Sequence, residues 1–268
     1  MKYKAIVSDF DGTLADGSLV INEEVKRAIR DYIKSGGIFS IATGRDFYGA
    51  LKDICIDLGT ESLQIVRGGS EIVSAKTHKV VWGKYIDEVL LKELLVFLGS
   101  KLGIFYAAER GEIIYTLGGK AYELFGPKAK FGELLELPLD NVPKLVMPAS
   151  LNEPDVIVDL LEEISVTFPN LHTIKTTYKD FVGMDINDGG VSKHLALFEY
   201  AKLMKLSPEE IIGVGDSYND YPLLSACGYK VAMRNAPQEL LDIVDLVVGT
   251  QEEDGILELL SMVKEERL

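Results

Sequence analysis

The sequence predicts an α/β fold, a parallel-sheet core of Rossmann-like topology with an inserted α+β domain. Three observations carry this reading. Short apolar runs alternate with helix-period segments over roughly the first 80 residues, the rhythm of a parallel sheet flanked by helices. The same rhythm returns after Gly189. Between these stretches the pattern changes to a hairpin, further strands and two helices. The expected division is a discontinuous core, 1–82 and 186–268, around an insertion, 83–185, of a common domain size.

Each element has its own grounds. Ala5-Ile6-Val7-Ser8 reads as a buried strand. Asn22 is placed to cap a helix, with Glu23 and Glu24 in the first turn where the helix dipole favours acids. Val25, Ala28, Ile29, Tyr32 and Ile33 then share one face, and Gly36-Gly37 stop the helix. Residues 38–42 form the next strand and lead into Thr43-Gly44-Arg45. In the insertion, 87–101 has helical period, and 104–108 with 113–117 flank Glu109-Arg110-Gly111-Glu112 as a hairpin. A strand at 144–147, a helix after Pro154 and two strands before Asp188 follow. Beyond it, 193–206 reads as a helix, and Ser207-Pro208-Glu209-Glu210 carries the signals of a capped helix start. Residues 211–214, 231–233 and 245–248 complete the strands.

Composition narrows the function. An apolar fraction of 47% is ample for a core. A net charge of −14 argues against nucleic-acid binding through a broad basic surface, while leaving room for a phosphorylated small molecule in a local site. The two cysteines, Cys55 and Cys227, have neither zinc-like spacing nor a disulfide pattern, which fits a reducing, cytoplasmic location. No stretch approaches the length of a membrane span, so no membrane partner is expected. The oligomeric state is not readable.

Four polar clusters fall at sheet or helix ends, where ligands of open α/β sheets bind. Asp9 and Asp11 follow the first strand. On an extended backbone they would point the same way and repel, a cost that a hard cation such as Mg²⁺ relieves. Thr43 follows the second strand, Lys193 opens a helix, and Asp216, Asn219 and Asp220 follow residues 211–214. Each has a bland alternative: Asp-Gly turns, a capping threonine, a solvated lysine, a capping acid pair. Together they form a phosphoryl-transfer kit, with a nucleophilic carboxylate, a second acid, and a hydroxyl and ammonium for phosphoryl oxygens. The Gly-x-x-x-x-Gly-Lys-[Ser/Thr] phosphate loop of ATP-driven enzymes is absent.

At these residues the chain resembles the haloacid dehalogenase superfamily, in its Cof-like phosphatase branch with a type IIB cap. Asp9-Phe-Asp-Gly-Thr matches the first motif and Thr43-Gly-Arg the second. Gly190-Val-Ser-Lys193 and Gly215-Asp-Ser-Tyr-Asn-Asp220 match the third and fourth. Ala232-Met-Arg-Asn-Ala236 and Glu253-Asp-Gly255 also resemble branch signatures. The resemblance implies a phosphoric monoester hydrolase acting on a small phosphorylated metabolite, sugar phosphates first. Asp9 would form an aspartyl-phosphate and Asp11 would be general acid and base. Mg²⁺ would be held by Asp9, the Asp11 backbone carbonyl and Asp216. Thr43 and Lys193 would hold the transferring phosphate with the Gly44 N–H; Arg45 would either touch substrate or form a structural salt bridge, Asn219 would stand near substrate, and Asp220 would support. The same intermediate also suits a phosphotransferase or mutase, and a non-catalytic phosphometabolite-binding protein is a third reading. Two departures bear on substrate preference: Gly68-Gly69-Ser70 stands where the branch often has Asn-Gly-Ala, and His194 stands where a Gly usually follows the lysine. Tyr106, Arg110, Lys144, Lys175 and Lys179 are polar residues of the insertion that could face a substrate.

Overall fold

The computed structural model describes residues 2–101, 104–116, 130–148, 154–178 and 181–268. Leu117, expected in the hairpin, and Lys179 lie outside them. Five strands come first: β1 (Ala5–Ser8), β2 (Ile38–Ile41), β3 (Leu63–Val66), β4 (Glu71–Ser74) and β5 (Lys79–Gly83). Among the described residues of the insertion six follow: β6 (Ala107–Arg110), β7 (Ile113–Thr116), β8 (Lys130–Glu133), β9 (Lys144–Met147), β10 (Leu171–Tyr178) and β11 (Phe181–Asp188). The last three are β12 (Ile211–Gly215), β13 (Tyr229–Met233) and β14 (Leu246–Val248). The chain divides into two compact units, 1–82 with 192–268, and 83–191. Residues 186–191, expected with the core, belong to the insertion, because β11 stays paired with β10 and β9 up to Asp188 and Asn187.

The first unit is built on a parallel sheet in the order β14-β13-β12-β1-β2. Every strand pair in it is parallel, with Ala5 opposite both Ile211 and Ile38. Alternation along β1 feeds two cores. Ile6 joins Val25, Ile29, Ile256 and Leu259 of the helices Glu23–Lys34 and Gly255–Lys264. Ala5 and Val7 face Leu197, Tyr200 and Leu223 of the helices Lys193–Met204 and Tyr221–Ala226. Burial on both faces explains why these strands read as apolar runs. The capping predictions hold at Asn22, which accepts from the Glu24 N–H at 2.9 Å.

Three details differ from expectation. Strands β3–β5 form a separate three-stranded sheet, β3-β4 antiparallel, that touches the main sheet by a bridge between Ala42 and Ile65. Residues 208–210 make a single 3₁₀ turn with the expected capping box, since β12 begins at once. The hairpin pairs Arg110 with Ile113, so its strands run closer to the turn than the apolar runs suggested, with Gly111 at φ +56°.

The inserted unit has a six-stranded sheet in the order β10-β11-β9-β6-β7-β8. Leu91, Leu94 and Leu98 of the helix Glu88–Gly99, and Ile157, Leu160 and Ile164 of the helix Pro154–Thr167, cover one face against Leu145, Met147, Met184 and Ile186. Of the residues noted in the sequence, Tyr106 is in this core, Arg110 pairs with Asp140 and Lys175 is exposed. Lys144 is buried between Asp185, at 2.9 Å, and Glu109, at 3.6 Å. Among the described residues, no helix is long and apolar enough to cross a membrane.

Candidate active site

The parallel sheet delivers Asp9, Thr43 and Asp216 to one edge, because each follows the carboxyl end of its strand. The Asp9 N–H continues the β1–β12 ladder by donating to the Val214 carbonyl at 2.8 Å. The chain then turns sharply, with Leu14 and Ala15 both donating to the Phe10 carbonyl. Gly12 is required twice over. Its φ is +84°, and a Cβ there would lie 2.6 Å from Asp216 Oδ2. Thr13 donates its hydroxyl to Asp216 Oδ1 at 2.8 Å, tying the loop after β1 to the loop after β12.

Lys193 joins the two acidic loops. Ser192 caps its helix by accepting from the Leu195 N–H, which fixes Lys193 at the first position. Its ammonium donates to Asp9 at 2.6 Å and to Asp220 at 2.7 Å, and all three side chains are buried. Asp220 also accepts from the backbone N–H groups of Asp216 and Ser217 through its other oxygen. Its carboxylate therefore shapes the loop as well as pairing the lysine.

Ligand oxygens of Asp9, Asp216 and Asp220 all lie within 4.8 Å of one another. Three carboxylates against one ammonium leave a net charge of −2 in a mostly buried cluster, which suits a divalent cation with oxygen ligands. The electrostatics agree. Burial, then the charge of Asp220, pushes the Asp9 carboxyl well above the usual range, with Lys193 opposing. Burial pushes Asp216 up to about 6, although the Thr13 hydrogen bond works the other way. Burial acts to lower Lys193, but Asp220 and Asp9 overcome it and the ammonium is held above its ordinary value.

A raised carboxyl pKa means that ionisation costs the fold. The term is absent below the unfolded value near 4 and fully present above the folded value, about 6 for Asp216. At about 1.4 kcal/mol per pK unit, this is at most roughly 3 kcal/mol. We expect metal-free Asp216→Asn to melt above the parent at pH 7, with the gap closing as pH falls toward 4. Thermal melts in chelator measure it, and an unchanging gap would contradict this electrostatic account.

The remaining candidates divide. Thr43 is buried, with its hydroxyl accepting from the Arg45 N–H at 3.2 Å. Gly44 follows it in the same loop. Asn219 is exposed, its side-chain oxygen accepting from the Ser217 hydroxyl. Asp11 does not join Asp9. Its carboxylate is exposed and accepts from Arg45 Nε and Nη2 at 2.7–3.0 Å. The alternation argument requires extended backbone, and β1 ends at Ser8. His194 turns to the neighbouring helix, its Nδ1 3.1 Å from the Ser225 hydroxyl. In the sequence Thr13 stands only as the last residue of the first motif; its hold on Asp216 is visible only once both loops are assembled.

A 5-amino-6-(5-phospho-D-ribitylamino)uracil phosphatase, YcsE of Bacillus subtilis, is 24% identical over 94% of this chain and 92% of its own length. A phosphoglycolate phosphatase of Methanoculleus marisnigri is 27% identical over 95% of this chain and 94% of its own. The crystal structure of a haloacid dehalogenase-like hydrolase from Bacteroides thetaiotaomicron superposes with a TM-score of 0.85 at 21% identity, covering 97% of this chain and 99% of that one. The haloacid dehalogenase-like hydrolase profile matches residues 6–260, and the chain belongs to that family.

Proposed function

We propose that the protein is a Mg²⁺-dependent, cytoplasmic phosphatase that hydrolyses small phosphomonoesters, sugar phosphates first, through an aspartyl-phosphate on Asp9. The observation that carries this reading is the buried Asp9–Lys193–Asp220 chain beside Asp216. It combines a nucleophile, a fixed cation and a set of carboxylates suited to a divalent ion. Asp9 and Asp216, with the Asp11 backbone carbonyl and Asp220 alongside, would hold Mg²⁺. The ion would supply positive charge against the phosphate oxygens and the ionised Asp9.

An Asp9 oxygen attacks phosphorus, and the bond from phosphorus to the ester oxygen breaks. Asp11, protonated, gives its proton to the leaving alcohol. Water then attacks the phosphorus of the aspartyl-phosphate while Asp11 takes its proton, which frees inorganic phosphate and restores Asp9. Lys193, the Thr43 hydroxyl and the Gly44 N–H hold the phosphoryl oxygens as charge shifts. Asp11 must leave Arg45 to carry a proton. Both partners of that pair are about half exposed, so opening costs little. The inserted unit is proposed as the cap that selects the leaving group and excludes water.

The relatives named for ribitylaminouracil phosphate and phosphoglycolate support a small monoester, and both compounds belong in the substrate panel. Phosphate release is measured across that panel with Mg²⁺ and with chelator. Chelator-sensitive release is expected; no release from any member would sink the reading. Asp11→Asn should lower kcat on the order of 10²–10⁴-fold, the usual worth of acid–base catalysis. Its loss should be smaller for esters with acidic leaving groups, which need no proton, and a uniform loss would remove Asp11 from the acid role.

A further inference from the structure

We infer that the buried Arg67–Glu71 ion pair is a positioning device that sets the Thr43 loop and the Lys193 helix start through one shared turn. The inference rests on the proposed roles of Thr43 and Lys193.

The turn 67–70 joins β3 to β4, with Val66 opposite Glu71. Arg67 and Glu71 side chains are 2% and 3% exposed, and their N···O distance is 2.6 Å. Arg67 has φ +53°, a left-handed conformation that costs a branched-chain-free but Cβ-bearing residue energy. Burying two charges costs desolvation as well, and an apolar pair of similar volume would close the same hairpin at lower cost. The arrangement is expensive locally, so its return lies in what the turn holds.

It holds two site loops. The Gly68 N–H donates to the Thr43 carbonyl at 3.0 Å, and the Arg67 N–H donates to the Arg45 carbonyl at 2.9 Å. The Thr43 N–H donates in turn to the Ile65 carbonyl at 2.9 Å, so Thr43 is fixed on both sides by residues 65–68. The next residue, Gly69, has φ +102° and packs so closely that a Cβ would lie 2.4 Å from the Ser192 carbonyl oxygen and 2.9 Å from the Lys193 nitrogen. One turn therefore touches the backbone of both phosphate-holding residues. The Arg67–Glu71 contact ties the first residue of the turn to the first of β4, and the Tyr48 ring, 6.0 Å from the Arg67 guanidinium carbon, lies beside it.

The test uses the full chain with Mg²⁺ and the double variant Arg67→Met, Glu71→Met, which removes both charges of the pair together. We expect a cooperative fold, and kcat lower by about 10- to 100-fold, the scale of an ångström-sized misplacement. KM should change much less, inorganic phosphate should inhibit more weakly, and the Arg67 and Gly68 amides should exchange hydrogen faster. Arg67→Lys, which keeps the charge and loses the planar fork, should fall between. A folded double variant with parental kcat and parental amide exchange would overturn the inference, because a purely structural pair can be replaced without consequence. If the double variant does not fold, Arg67→Lys decides by the same two readouts. If the parent releases no phosphate from any ester, the proposed function has failed by itself; amide exchange at residues 67 and 68 then judges the pair alone.

Discussion

Asp9→Asn should yield a folded protein with no measurable phosphate release, a loss of at least about 10⁴-fold, as for removal of other covalent nucleophiles. The amide matches the carboxylate in shape but cannot form the acyl-phosphate. Stability should move the opposite way to activity. Holding Asp9 as a carboxylate costs the fold, since burial and then Asp220 push its carboxyl well above the ordinary range. That cost is present at neutral pH, shrinks as pH falls below the raised value and vanishes below the unfolded value near 4. A neutral side chain at this position should therefore melt no lower than the parent in chelator at pH 7. Phosphate release and thermal melting on the same preparation separate the outcomes. Inactivity with a lower Tm would point to damage to the fold, and retained activity would end the covalent mechanism.

Lys193→Met should be inactive and unstable together. Its ammonium is the common donor to Asp9 and Asp220, and its removal leaves the cluster with carboxylates alone. Breaking one partner out of a buried pair typically costs about 3–5 kcal/mol. The loss should be largest at neutral pH and should shrink on acidification, because the carboxyls then take up protons and no longer need a partner. Mg²⁺ should restore part of the lost stability without restoring turnover. Melting temperatures across pH, with chelator and with Mg²⁺, measure this. A variant as stable as the parent in chelator at pH 7 would mean that the three side chains are not coupled as described.

The parallel core is legible in the sequence because its strands are buried on both faces. Ala5-Ile6-Val7 stands out for that reason, and Asn22 with Glu23 and Glu24 marks the following helix by local chemistry alone. The small sheet β3–β5 is not legible. Its strands include the buried polar residues Gln64 and Glu71, which break the apolar signal, and Gln64 spends its side-chain oxygen on the Ile41 N–H. At the site, residue types and spacing pick out Asp9, Thr43, Lys193 and Asp216 as a group. Pairings across loops do not follow from spacing: Thr13 with Asp216 and Arg45 with Asp11 depend on how the turn at Gly12 redirects the chain.

Strand order has a consequence for synthesis. β1 lies in the middle of its sheet, between β2 and β12, although it precedes both in the chain. Ala5 acquires its second neighbour only when Ile211 has left the ribosome, after the whole inserted unit. Until then the segment bearing Asp9 has an open edge, while β6–β11 of the inserted sheet are already made. Domains generally fold as units during synthesis, so the insertion is expected to be complete while the core is still waiting. A chain truncated near residue 200 and released should protect the inserted segment from protease and leave residues 1–82 cleavable.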